Sequence, residues 1–124
     1  MRKREAEQYR QLLQAQLAEL AGHGSRTVHA LADDAGEEIP DPSDRATIEE
    51  ERSGSLRLAD RDRKLIGKVR EALARLDAGT FGECTRCARP IGAARLRARP
   101  VTDLCIDCKT ELEGRERRAR TRAP

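Results

Sequence analysis

The sequence predicts an all-α-dominated fold: a long antiparallel coiled-coil hairpin with a small four-cysteine finger module and a short C-terminal helix. Three observations predict it. Two stretches of the chain, one on each side of Pro40 and Pro42, repeat apolar side chains at helical spacing. The composition, 38% charged and 2% aromatic with no Trp in 124 residues, is too poor in large apolar groups to fill a broad globular core. Long helix-on-helix packing, or a staple, then has to hold the chain together. The third observation is a pair of CxxC sequences near the C-terminus, CTRC and CIDC, which offers such a staple.

The first helix is expected from about Glu5 to Ala32, carrying Tyr9, Leu12, Leu13, Leu17, Leu20, Val28 and Leu31 at helical spacing. Gly22 and Gly24 interrupt it, each weakening a helix interior by about 1 kcal/mol relative to Ala, so a bend or a frayed turn is expected there. Pro40 and Pro42 close the segment, because the residue ahead of a proline is pushed away from helical dihedrals. The second helix is expected from about Ser43 to Asp77. One face, followed in alternating steps of four and three, reads Ile48, Arg52, Ser55, Ala59, Asp62, Ile66, Val69, Leu73, Leu76. That is a coiled-coil seam, apolar in its far half and polar in its near half. At 1.5 Å per residue such a helix spans roughly 50 Å. Two of them joined by a short connector make an antiparallel hairpin, firmly paired at its base and weakly at its tip. Gly79, in Asp77-Ala78-Gly79-Thr80, suits a left-handed cap that ends the second helix.

Cys84, Cys87, Cys105 and Cys108 follow as C-x2-C-x17-C-x2-C. Two cysteines separated by two residues bend onto one ion through a tight knuckle, and two knuckles complete a tetrahedron of thiolates at about 2.3 Å from zinc. Two disulfides are disfavoured in a reducing compartment, and an iron–sulfur cluster is the other group that four thiolates hold. A closed four-thiolate site leaves no open coordination position, so the single zinc ion is expected to be structural. Beyond Pro100, Thr102 or Asp103 is a candidate cap for a last short helix containing Cys105 and Cys108, and the Arg-rich tail from Gly114 is expected to fray. The division expected is residues 1–80 for the hairpin, 81–113 for the finger and 114–124 for a basic, flexible tail.

The net charge of +3 hides an asymmetry. Between Asp33 and Glu51 nine acids stand against one base, a balance of −8, whereas from Cys84 to Pro124 eleven bases stand against five acids, a formal +6. A zinc ion on four thiolates would lower the latter to +4. A uniform nucleic-acid binder would not be built this way. There is no apolar run long enough for a membrane span and no signal-peptide core, so the expected compartment is the cytoplasm. His23 and His29 accompany no identifiable nucleophile and are read as surface residues, and the chain is not expected to be an enzyme.

The acidic connector contains PDPSDRAT, Pro40 to Thr47. Its plain reading is capping: Asp41 is a favoured N-cap, Pro42 suits the first helical position, and Asp44 sits third, where its carboxylate meets the positive end of the helix dipole. The extent of surrounding acid, and the length of the arm that carries it, point as well to a probe held out from the metal-stapled body. The two readings are compatible, with Asp41 capping and Asp44 facing outward.

At these residues the chain resembles the DksA/TraR family of bacterial transcription regulators. The resemblance runs collinearly from about Gln11 to Arg115 and rests on DPSDRAT with its D-x-x-D-x-A pattern, on RDRKLI, on FGEC and on ARPVTDLCIDCK. It implies a monomer that binds RNA polymerase directly and has no sequence-specific DNA binding of its own. The coiled coil would enter the polymerase's secondary channel, and its tip, matched here by Asp41, Asp44 and Ala46, would approach the active centre. There it would destabilise open complexes at promoters such as those for ribosomal RNA, acting with the alarmone ppGpp. The family's ppGpp-contacting residues match Arg61, Leu65, Lys68, Arg99 and Lys109. Two departures stand out. An N-terminal segment of the family's longer members has no counterpart ahead of Met1, and Gly67 stands where a base is common beside Lys68, which implies weaker ppGpp binding.

Two rival functions are distinguishable. GATA-type fingers share the cysteine spacing, but the loop ARPIGAARLRARPVTDL lacks their tryptophan, and the acidic arm would be repelled by duplex phosphates. A Gre-type factor would lend tip carboxylates to Mg²⁺ for transcript cleavage by polymerase, but such factors carry a differently built second domain without four cysteines.

Overall fold

The computed structural model describes residues 1–34 and 41–122, which form four α-helices in the order α1 (Lys3–Asp34), α2 (Pro42–Ala78), α3 (Ala93–Ala98) and α4 (Ile106–Arg122). Among the described residues there is no strand, only one antiparallel bridge between Glu83 and Pro90. The chain is therefore all-helical, as the apolar spacing requires. Among the described residues no helix is long and apolar enough to cross a membrane. Pro40, and the side chains of Val28, His29 and Leu31, lie outside the described residues.

The chain divides into two compact units, one of Met1–Gln11 with Glu71–Pro124 and the other of Leu12–Arg70. In the Leu12–Arg70 unit, α1 and α2 run antiparallel: His23 meets Asp62 at 3.8 Å, and the chain leaves α1 at Asp34 to enter α2 at Pro42. Leu13, Leu20 and Val69 are its buried apolar side chains. Ile48, Ser55, Ala59, Asp62 and Ile66 of the seam are half-buried, while Arg52 is exposed. The thinning of apolar contact toward residue 48 is thus a property of the sequence and of the packing alike. Leu12, counted as an inward residue from its spacing, is 52% exposed. The inward row of α1 runs through buried Leu13, half-buried Leu17 and buried Leu20, one helical position round, because a row of threes and fours can hold only one of two adjacent leucines.

Gly22 and Gly24 do not interrupt α1, which continues unbroken through both, so the expected frayed turn is absent. Two glycines cost about 2 kcal/mol, an amount that neighbouring helical turns and packing against α2 offset. Gly67 is a cleaner case. It is exposed inside α2, and a Cβ added there would meet nothing within 4 Å. Gly67→Ala is expected to stabilise the protein by about 0.8 kcal/mol and to raise the melting temperature by about 3 °C, read by thermal denaturation.

The other unit takes in the last turns of α2 from Glu71. Gly79 adopts φ +76°, its N–H donates to the Leu76 carbonyl at 3.3 Å, and the Thr80 N–H donates to Arg75 at 2.9 Å. These are the paired bonds of a Schellman cap, with glycine in the left-handed position. The chain then turns into the cysteine knuckles over a small apolar floor of Phe81, Ile91, Leu96 and Val101, all buried. Tyr9 covers the Phe81 ring at 5.1 Å between centroids, and Arg10 pairs with Asp77 at 2.7 Å.

Two expectations for this unit are corrected. The loop between the cysteine pairs contains α3, whose Ala-rich AARLRA favours helix and buries Leu96, but which is too short to show a period. The tail does not fray at Gly114, since α4 continues to Arg122. Arg and Glu are good helix formers; Lys109 pairs with Glu113 at 3.8 Å just ahead of the glycine, and Arg115 pairs with Glu111 at 3.0 Å across it.

Candidate functional site

The four cysteines converge. The Sγ atoms of Cys84, Cys87, Cys105 and Cys108 all lie within 4.8 Å of one another, and those of Cys87 and Cys105 are 3.7 Å apart. Ligands 2.3 Å from a tetrahedral centre stand about 3.8 Å from each other, so the sulfur spacing suits one zinc-sized ion. Cys84, Cys105 and Cys108 are buried and Cys87 is the exposed corner.

Backbone hydrogen bonds build the cage. In the first knuckle the Cys84 N–H donates to Arg89 at 2.8 Å, Ile91 N–H to Gly82 at 2.9 Å, and Ala88 N–H back to Cys84 at 2.9 Å. Ala88 takes φ 62°, a left-handed value uncommon for a residue with a Cβ, because the chain must reverse immediately after the second ligand. The knuckles are joined at Asp103, whose carbonyl accepts from the Thr85 N–H at 2.9 Å and the Thr85 hydroxyl at 3.2 Å. Arg95 holds the second approach by donating from Nε to the Leu104 carbonyl at 3.0 Å.

Neither Thr102 nor Asp103 caps α4. The Thr102 hydroxyl turns to the Leu104 carbonyl at 3.4 Å, and Cys105 takes the capping position, its Sγ accepting the Cys108 N–H at 3.5 Å. The ligand sulfur thus does the work of a serine oxygen, and Cys105 stands just outside the helix instead of within it. The positive end of the α4 dipole faces the thiolates, which favours their negative charge. Sequence spacing carried one signal of this: a CxxC that opens a helix puts its first cysteine at the cap and its second at the third helical position.

The thiols differ in acidity. Burial pushes the Cys84 thiol up, but backbone hydrogen bonds from Cys105, Cys87 and Arg86 outweigh it and bring the group down to about 6. Cys108 is pushed up to about 12 by burial and by the thiols of Cys105, Cys84 and Cys87 around it. Four adjacent thiols do not all ionise without a cation, and a bound cation reverses that balance by replacing the protons. Protons compete with the metal for sulfur, so affinity falls as pH falls. Metal release is therefore expected on acidification, read with a chromogenic chelator across a pH series.

At the other candidate site, the first turn of α2, Asp41 Oδ1 accepts the Asp44 N–H at 2.9 Å, and the Asp41 carbonyl accepts the Arg45 N–H at 2.9 Å. Asp41 is therefore the N-cap, with Pro42 first and Asp44 third in the helix, as the local pattern requires. The Asp41, Asp44 and Ala46 side chains are exposed, and neither carboxylate has an ion pair among the described residues.

Arg61, Leu65 and Lys68 share one face of α2 by their spacing of four and three, with Arg61 and Lys68 exposed and Leu65 half-buried. Arg61 lines a shallow surface depression with Leu56, Arg57, Asp60 and Lys64, which does not include Leu65 or Lys68. Arg99 and Lys109 belong to the cysteine-bearing unit. Arg99 is exposed just after α3, and Lys109 is half-buried near the start of α4, where it pairs with Glu113.

Comparison with known proteins covers the chain in two consecutive parts. Residues 5–76 match the family described as DnaK suppressor protein DksA, N-terminal domain, and residues 79–114 match the prokaryotic dksA/traR C4-type zinc finger. The RNA polymerase-binding transcription factor DksA of Haemophilus influenzae is 48% identical over 109 residues, 88% of this chain and 74% of that protein. Its counterpart from Escherichia coli strain K12 is 47% identical over 109 residues, 88% of this chain and 72% of that protein. The structure of transcription factor DksA2 from Pseudomonas aeruginosa matches with a TM-score of 0.85 at 38% identity, covering 94% of this chain and 89% of that one. A four-sulfur cage, a capped acidic helix start and these two family matches together lead to one assignment: the chain belongs to the DksA family, a family of non-enzymatic transcription factors whose second part is a dksA/traR C4-type zinc finger.

Proposed function

We propose that this chain is a cytoplasmic monomer that binds RNA polymerase and regulates transcription by presenting the start of α2 in the polymerase's secondary channel, in concert with ppGpp. The names of its relatives support polymerase as the partner. The observation that carries the reading is the division of labour at the tip. One carboxylate, Asp41, fixes the helix start, and the next, Asp44, is held on that ordered turn with its charge exposed and unpaired among the described residues. An ordered carboxylate changes the field at a neighbouring reaction centre without first having to be immobilised. In this reading Asp41, Asp44 and Ala46 approach the polymerase active centre and destabilise open complexes at ribosomal RNA promoters.

The four thiolates hold one structural zinc ion, a reading supported by the sulfur spacing and the absence of a fifth protein donor among the described residues. Arg61, Leu65, Lys68, Arg99 and Lys109 contribute to ppGpp binding on the polymerase. Guanidinium and ammonium groups suit pyrophosphate, and the 3.8 Å surface pair of Lys109 with Glu113 is weak enough to be exchanged for phosphate.

Run-off transcription from a ribosomal promoter with the cognate polymerase tests the proposal. Inhibition by the chain, deepened by ppGpp, is the expected result, and an unchanged transcript yield would overturn it. Lys68→Ala combined with Lys109→Ala is expected to erase the ppGpp response while leaving basal inhibition. Surviving synergy in that double variant would show that these residues do not serve ppGpp.

A further inference from the structure

The end of the chain, GRERRARTRAP, has no part in the reading above, yet the structure carries it as helix to Arg122. Residues 115–122 contain five arginines against one acid, Glu116, and no apolar side chain larger than Ala119. Like charges one turn apart repel, and burial here is too slight to offset that. Arg115 is relieved by Glu111 at 3.0 Å. Arg117, Arg118 and Arg120 are exposed and have no ion pair among the described residues. Three guanidinium groups are thus presented on an ordered helix with nothing among the described residues to neutralise them.

We propose that this end of α4 is a sequence-independent binding surface for the phosphate backbone of duplex DNA. Charge complementarity admits three kinds of occupant, and the chain's composition separates them. A protein partner with acidic side chains would be held through a desolvated apolar or aromatic anchor at the centre of the interface, and from Gly114 onward there is none. Single-stranded nucleic acid is held by bases stacked on aromatic side chains. The chain has one Tyr and one Phe, and the two rings pack on each other at 5.1 Å with Phe81 buried, so no stacking platform is left. Duplex backbone requires neither feature, because guanidinium groups on phosphates, with release of condensed counterions, supply the affinity. The acidic stretch from Asp33 to Glu51, nine acids against one base, adds nothing to such binding and confines the footprint to the basic end.

The surface shares no residue with the channel-directed role, whose tip residues stand in the acidic middle of the sequence. It gives a polymerase-bound factor a second, weak hold on neighbouring duplex without base readout.

The test is fluorescence anisotropy of a labelled mixed-sequence duplex with the metal-loaded full chain, from 50 to 200 mM salt. Three phosphate contacts give a slope of log K against log salt of about −2.7, which is about a 40-fold loss of affinity over that range. The Arg117→Gln, Arg118→Gln, Arg120→Gln triple variant is expected to lose that slope while its metal content and melting curve match the parent. No binding at 50 mM salt, or an unchanged slope in the triple variant, would overturn the proposal. So would equal affinity for the corresponding single strand, which would move the site to single-stranded nucleic acid. Equal affinity for polyglutamate would make the surface a protein-carboxylate site instead.

Discussion

Stripping the metal with excess chelator is expected to unfold the cysteine-bearing unit and to lower the melting temperature on the order of 10 °C or more. Only four buried side chains besides the cysteines and the end of α2 line its floor, namely Phe81, Ile91, Leu96 and Val101. At about 1.5–3 kcal/mol each, upper figures for full burial, they supply roughly 10 kcal/mol. Fixing the backbone costs about 1–2 kcal/mol for every residue ordered, and the loops around the cysteines are long. Structural zinc contributes about 10–16 kcal/mol in small fingers at neutral pH, the larger quantity by comparison with what the floor leaves after ordering. The cation also resolves the electrostatic conflict of four adjacent thiols, in which Cys108 is driven up to about 12 while Cys84 stands near 6. Circular dichroism with and without chelator, alongside metal analysis, checks this. An unchanged melting curve after stoichiometric metal loss would mean that the apolar floor suffices alone. Cys108→Ser should reproduce the chelated state, because a hydroxyl does not ionise to replace the thiolate.

The parts of the molecule legible in the sequence are those in which local chemistry and long-range packing ask for the same residue. Gly79 is readable because a left-handed cap and a helix end coincide there, and the same holds for Asp41, where the N-cap falls on the residue before a proline. The four cysteines are readable because metal geometry fixes their spacing directly. Most of the misses come from competition between signals, and one from brevity. Leu12 and Leu13 are adjacent and equally apolar, and only the packing of α1 against α2 selects Leu13. At the start of α4, Thr102 and Asp103 have better capping chemistry than a cysteine, but the demand that Cys105 and Cys108 share one ion places the helix start at Ile106 and gives the cap to sulfur. α3 escaped notice because six residues are fewer than two turns, too few for a period to appear. Gly114 suggested an end to α4, but the Glu111–Arg115 ion pair that spans it biases the segment toward helix.

Replacing the tip carboxylates one at a time separates their capping role from their charge. Asp44→Asn keeps size and removes the charge at a position that donates only its backbone N–H to the cap. Helix content and polymerase binding are therefore expected to stay close to those of the parent, while inhibition of a ribosomal promoter falls by tenfold or more, a loss of about 1.4 kcal/mol or greater. Asp41 needs two variants. Asn caps as well as Asp, so Asp41→Asn changes the charge and leaves the Asp44 N–H satisfied. Asp41→Ala removes both, and costs about 1 kcal/mol of helix stability at the tip. If both Asp41 variants lose inhibition alike, the Asp41 charge acts at the active centre beside Asp44. If Asp41→Asn retains inhibition and Asp41→Ala loses it, Asp41 is a positioning residue whose task is to hold Asp44 in place. Full inhibition by Asp44→Asn would remove the exposed carboxylate from the mechanism altogether, leaving the acidic start of α2 with capping as its whole function. Steady-state inhibition by each variant, measured next to its binding to polymerase, decides among these outcomes, because a charge acting at the reaction centre lowers inhibition at equal occupancy whereas a lost contact lowers occupancy itself.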